Sequence, residues 1–267
     1  MNNKTTNTLV AYTQLLGTFY SIPPLISTTE ISTALLGCLH LIRSHVGNVL
    51  SEHRQKLFVA IKDDPIRWVQ LAIPLEKRSI YTEALVHLIG AYPKWRKSPC
   101  YTALPEYLLL MIVQKTKELR KLRTEIERDM LLTTLRYGPN RAPLDPTERE
   151  QTETWITVQI FRDQLAQRIY KLDRDSNGAG IFFRELHKRT LEALDIENVR
   201  EMCQGTMHSD WKELNADLKD LKDYVGELVE DLARNELMIE PDAHGVGYLT
   251  CAKIDDKDIP WSATVES

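Results

Sequence analysis

Apolar residues recur every three to four positions along most of the chain, and period-two alternation is almost absent. That rhythm predicts helices rather than strands. Ser27-Thr28-Thr29-Glu30 matches a capping box, and the helix it opens would place Ile31, Leu35, Cys38, Leu39 and Ile42 on one side. A second helix is predicted from Leu50 to Ile61. "DDPIRWVQLA" starts a third, with Asp64 as its cap and Pro65 at the first helical position, where a missing N–H costs nothing. Pro74 is expected to interrupt it. A fourth helix runs through "RSIYTEALVHLIG" to Gly90, and "YPKWRKSPC" reads as a loop.

After Pro105 neither Gly nor Pro recurs until past Arg136, which predicts one helix of roughly 45–48 Å at 1.5 Å per residue. Leu119, Leu122, Ile126 and Met130 form its later apolar stripe. Between them "KELRKLRTEIERD" mixes both signs at three- and four-residue spacing, the pattern of a solvated face. "YGPNRAPLDPTEREQTE" then breaks the rhythm with one Gly and three Pro, placing a boundary or long surface loop at 137–152.

The second region, 153–240, opens with Trp155, Val158, Phe161, Leu165, Ile169 and Leu172 on one helical face. A helix is predicted near Phe182 to Leu194 and a shorter one from Ile196 to Cys203. The strongest periodicity follows: Trp211, Leu214, Leu218, Leu221, Val225, Leu228 and Leu232 alternate three and four residues apart. Such a seam either fills a bundle core or meets a partner helix, in a homodimer or in another protein. Residues 241–267 abandon the helical period and are expected to lie as a short extended segment. The expected fold is all-α, with helical regions at 1–136 and 153–240 joined by a Pro/Gly-containing linker.

A chain of 267 residues, 43% apolar and 27% charged, can bury a core without disulfides or metal staples. A net charge of -4 and a pI near 6.0 argue against nucleic acid as a partner. The longest apolar run, Tyr107 to Val113, is too short to cross a bilayer, and the N-terminus lacks the apolar core of a secretory signal. Cys38, Cys100, Cys203 and Cys251 are far apart, with no C-x-x-C. Together these point to reduced thiols in a cytoplasmic or nuclear setting.

Lys171 to Leu186, "KLDRDSNGAGIFFREL", invites comparison with a calcium loop. Counted from Asp173, positions 1, 3, 5 and 6 are Asp173, Asp175, Asn177 and Gly178, as an EF-hand asks. Position 12, however, is Arg184, and Glu185 comes one residue late. On a helix that slip turns the carboxylate by about 100°. A polar turn joining two helices uses the same residue types, so Asp173, Asp175, Asn177 and Glu185 carry a calcium alternative beside a plain connection.

Other chemistry finds less support. The seven histidines form no H-E-x-x-H, and none has a glutamate three residues before it, which excludes the di-iron bundle pattern. His87 lies one turn after Glu83 in an apolar helix, as a core histidine would. Cys203 and His208 are five residues apart across a loop. No G-x-S-x-G, P-loop or G-x-G-x-x-G occurs. Asp217, Asp220, Asp223, Glu227, Glu230 and Asp231 lie off the seam among Lys212, Lys219 and Lys222, as a solvated face requires. No catalytic residue and no cofactor are expected.

Two blocks carry a resemblance. "DPIRWVQLAIPLEKRSIYTEALVHLIGAYPKW" with "LPEYLLLMIVQKTKEL", and "DLKDLKDYVGELVEDLARNEL" with "GYLTCAKIDDKDIPW", resemble the helical region downstream of the BTB/POZ fold in fungal BTB-domain proteins. That family implies dimerisation and adaptor work such as recruiting ubiquitin-ligase scaffolds. The chain departs from it in lacking the family's α/β core strands, so the resemblance implies a version without the pairing domain. The expectation is a non-enzymatic interaction or scaffold module whose partners are other proteins.

Overall fold

The computed structural model describes residues 50, 55–138, 140, 142–174, 178–203, 205 and 211–262. The capping box at Ser27 and the stripe from Ile31 to Ile42 lie outside the described residues. The chain is all-α. Its described strands are a two-residue antiparallel pair, β1 (Arg136–Tyr137) and β2 (Ala142–Pro143), with Arg136 opposite Pro143.

The described residues fall into two compact units. The first takes the chain through Leu88, then Pro93–Met111 and the stretch from Lys253; the second takes Ile89–Tyr92 and Ile112–Ala252. Residues 137–152, expected to separate two helical regions, therefore lie inside the second unit. There they connect one helix to the next through β1 and β2.

The first unit holds α1 (Gln55–Asp63), α2 (Pro65–Leu75) and most of α3 (Arg78–Gly90), followed by the short turns α4 (Tyr92–Trp95) and α5 (Pro99–Thr102) and the start of α6 (Glu106–Leu131). Asp64 caps α2, its Oδ1 accepting from the Arg67 N–H, with Pro65 behind it. Pro74 does not interrupt α2 but sits within its last turn. The stop comes from Glu76, which adopts a left-handed φ of 50°. There Glu76 N–H bonds Ile73 O and Lys77 N–H bonds Ala72 O, closing the helix carbonyls in a Schellman pattern.

Helix α3 is buried nearly all round, with Ile80, Tyr81, Ala84, Leu85, Val86 and Leu88 at 0–1% exposure, as a helix with little polar face must be. The segment from Lys253 packs on it. Tyr81 OH donates to Asp258 O at 3.0 Å, Trp261 meets the Tyr81 ring edge-on at 5.1 Å, and Arg78 pairs with Asp256.

The second unit contains the remainder of α6, then α7 (Thr152–Arg174), α8 (Ala179–Lys188), a 3-10 turn at Glu192–Leu194, α9 (Ile196–Cys203), α10 (Trp211–Leu228) and α11 (Glu230–Ala233). Helix α10 lies against α7 and α8, and α8 against α11. Met130, Phe161, Leu165, Phe183, Val199 and Leu221, all at 0% exposure, lie in one apolar cluster.

Three expectations change here. Helix α6 has 26 residues, about 39 Å, and ends at Leu131 without Gly or Pro. Past its end, Arg162 of α7 donates to Thr133 O at 2.8 Å and Leu132 O at 3.3 Å, so a tertiary contact holds the exit. The helix expected to reach Leu194 stops at Lys188, because Arg189 turns left-handed with φ 59°. Trp155, expected on the inner face of α7, is 36% exposed; the buried line begins one turn later, at Thr157 and Val158.

Beyond α11 the described residues contain no α-helix, only a 3-10 turn at Asp256–Asp258. This strap crosses the start of α8, where Gly180 N–H donates to Gly247 O at 2.8 Å. A Cβ at Gly180 would lie 2.0 Å from Tyr248 O, so only glycine admits that approach.

Candidate functional site

The acidic turn lies largely outside the described residues. Asp173 lies in the last turn of α7, while Asp175 and Asn177 lie outside the described residues. Glu185 stands on α8 with Oε2 3.8 Å from the Arg168 guanidinium. No group of three or more His, Cys, Asp or Glu able to hold a metal occurs among the described residues.

Arg184, at the position where calcium loops place a bidentate glutamate, is 5% exposed. Its Nε donates to Asp242 Oδ1 at 2.8 Å and its Nη2 to Val246 O at 2.7 Å. Lys188 Nζ takes the other carboxylate oxygen at 2.7 Å. The Lys188 hydrogen bond, with Arg184 beside it, lowers the Asp242 pKa below the ordinary carboxylate value against the opposing effect of burial. Two cations on one carboxylate make a clamp between helix and strap. Around it a cleft of about 320 Å³ is lined by Ile181, Glu185, Thr190 and Gly245 among others.

The histidines and cysteines divide differently. His87 and Glu83 are 0% and 1% exposed, with Nε2 3.7 Å from Oε1. His208 lies outside the described residues, so its pairing with Cys203 is not on view. Cys203 itself is fully buried, and desolvation, with Glu153 nearby, raises its thiol pKa. Burial likewise pushes Cys251 to about 11. In both cases burial disfavours the thiolate, the nucleophilic form. Cys100, Cys203 and Cys251 form no disulfide among the described residues.

His187 has a local role that periodicity did not reveal. Its Nδ1–H donates to Gly226 O at 2.9 Å, near the point where α10 gives way to α11. Arg189 secures the neighbouring turn by donating from Nε to Asp223 at 2.9 Å and from Nη1 to His187 O at 2.7 Å.

The heptad seam faces inward. Leu214, Leu218, Leu221 and Val225 are 0–2% exposed, and Leu232 is 1% exposed on the separate turn α11. Trp211 and Leu228 are partly buried against the same cluster. As a partner-helix surface the seam is corrected: α7 and α8 already cover it, and the helix breaks at Val229 before the third heptad closes. Among its carboxylates, Asp217 alone has a clearly raised pKa, through burial and then the like charges of Asp220 and Glu213, opposed by a hydrogen bond from Thr154.

A second recess in this unit lies between α7 and α9. It measures about 420 Å³ and is lined by Gln164, Ala193, Asn198, Glu201 and Met202. Met202 is 45% exposed, and Gln164 Nε2 approaches its sulfur at 3.5 Å. Asn198 Nδ2 donates to Glu192 O at 2.7 Å, which fixes the amide and leaves its carbonyl oxygen to accept elsewhere. Residues 198, 201 and 202 share one face of α9 by their three- and four-residue spacing. That much was readable from sequence; the approach of Gln164 from α7 was not.

No protein-family model, curated protein or solved structure matches the chain. No described helix is long and apolar enough to cross a membrane.

Proposed function

We propose that this chain is a non-enzymatic interaction module that docks other proteins on its helical surfaces. The observation that carries the reading is the α7–α9 recess, where the exposed Met202, its sulfur approached by the Gln164 amide, stands beside Asn198. Methionine adapts its shape to an incoming side chain, and amides satisfy a partner's backbone groups. Meanwhile the groups that would suggest chemistry are engaged elsewhere: Arg184 and Lys188 both bond Asp242, and burial raises the thiol pKa of Cys203 and Cys251.

The adaptor work implied by the resemblance to fungal BTB-domain proteins belongs to this proposal. Its test is whether the full chain co-purifies with a ubiquitin-ligase scaffold. A broader test places a photo-cross-linking amino acid at Met202, at Tyr224 (56% exposed) and, as a polar control, at Lys212. A discrete adduct from an apolar position, absent at Lys212, is expected in the native cell. Equal adducts at all positions, or none, would remove the reading.

A further inference from the structure

We infer that Met202 is a site of reversible oxidation, taking one oxygen from a hydroperoxide to give a sulfoxide that the Gln164 side chain then holds. The inference goes beyond the interaction-module reading and stands without it, since it concerns one side chain and a small oxidant. Met130 is fully buried, whereas Met202 is 45% exposed and lines an open recess of about 420 Å³, roomy for a molecule little larger than water. Exposure alone would make Met202 an ordinary surface methionine; its partner makes it a site. Gln164 Nε2, on α7 and 38 residues away in sequence, donates to the Met202 sulfur at 3.5 Å.

A thioether sulfur is a weak acceptor. With hydrogen peroxide, a sulfur lone pair attacks one oxygen, an S–O bond forms, the O–O bond breaks, and the other oxygen leaves as water carrying both hydrogens. Sulfur loses two electrons and the peroxide gains them. The new oxygen is polar, and a donor already faces it. Because 3.5 Å exceeds an N–H···O separation of about 2.9 Å, the oxygen can turn to the amide with both helices where they are. The other groups lining the recess do not compete for it: Glu201 carries a carboxylate, which only accepts, Asn198 gives Nδ2 to Glu192 O at 2.7 Å, and Ala193 has no polar side chain. A sulfoxide sulfur is chiral, and one of its two epimers aims the oxygen at Gln164. Oxidation therefore tightens α9 against α7, whereas a methionine sulfoxide ordinarily disrupts packing. Sulfoxide reductases, one for each epimer, restore the thioether.

The probe is hydrogen peroxide applied to the full chain, with proteolytic digestion and mass spectrometry reading oxygen at each methionine. Met202 should gain its oxygen well before Met130. One sulfoxide epimer should predominate at Met202, measured on the digest with the two epimer-specific reductases. Deuterium exchange across Ile196–Cys203 should slow roughly two- to tenfold in the oxidised chain, the shift that one net hydrogen bond gives. Gln164→Glu, which puts an acceptor of nearly equal size in place of the donor at a partly exposed position, should equalise the epimers and abolish the slowing, with circular dichroism reporting the fold. Met202→Leu should exchange alike with and without peroxide, which assigns the effect to this residue rather than to Met238, itself 58% exposed. If Gln164→Glu does not fold, the epimer ratio and the exchange of the unsubstituted chain still decide. Equal epimers there, exchange that is unchanged or faster after oxidation, or slowing that survives either substitution overturns the inference.

Discussion

Arg184 and Asp242, 58 residues apart in sequence, are joined by a 2.8 Å hydrogen bond between Nε and Oδ1. The guanidinium is nearly buried while the carboxylate is 38% exposed. Arg184→Met should therefore destabilise the chain by about 2–3 kcal/mol, less than the loss of a fully buried partner, because water screens one side. Urea unfolding would show it. The clamp also sets a pH dependence. The Asp242 pKa is lowered in the folded state, so its stabilisation is complete above the ordinary aspartate value of about 3.9 and is lost as pH falls through the folded value. Asp242→Asn should flatten that acid limb. An unchanged limb would show that the clamp does not govern it.

Gly180→Ala ordinarily favours a helix by about 1 kcal/mol. Here the added carbon would meet Tyr248 O at 2.0 Å, and both strap and helix backbone would have to move. A net loss of about 1–3 kcal/mol is expected, seen as a lower thermal midpoint. A stabilised variant would mean that the strap does not lie on α8.

Leu221, fully buried on α10, tests the inward seam. Leu221→Ala should cost about 2–5 kcal/mol by opening a cavity. The midpoint should not depend on protein concentration, since a seam closed within one chain involves no mass action. Light scattering after size exclusion reports the same point independently, and a midpoint rising with concentration would restore the dimer.

Asp217 offers the opposite pH sign. Its pKa is raised, so it favours the folded state in acid, and that contribution is lost as pH rises through the folded value. Asp217→Asn should raise the urea midpoint at pH 7 and leave it nearly unchanged near pH 4. Equal effects at both pH values would contradict the assigned cause.

For the acidic turn, calorimetric titration with calcium should give no saturable heat below about 100 µM, the range in which sensor loops bind. Glu185→Gln should not alter the trace. Tight binding abolished by that substitution would instead make the turn a calcium site.

Much of this fold follows from local order. Apolar spacing placed α2, α3, α7 and α10, and Asp64 with Pro65 marked where α2 begins, because propensity and capping act over one or two turns. The run from Leu214 to Val225 had to face apolar neighbours wherever they came from. Its destination was not local: a heptad seam is equally satisfied by another chain or by α7 and α8, and long-range packing chose the latter. The same holds for the ends of α6 and α8. No Gly or Pro announces them, since Arg162 engages carbonyls just past one and Asp223 steadies a left-handed Arg189 at the other. The recess at Met202 belongs to this second class, because a concave surface exists only once α7 and α9 are brought side by side.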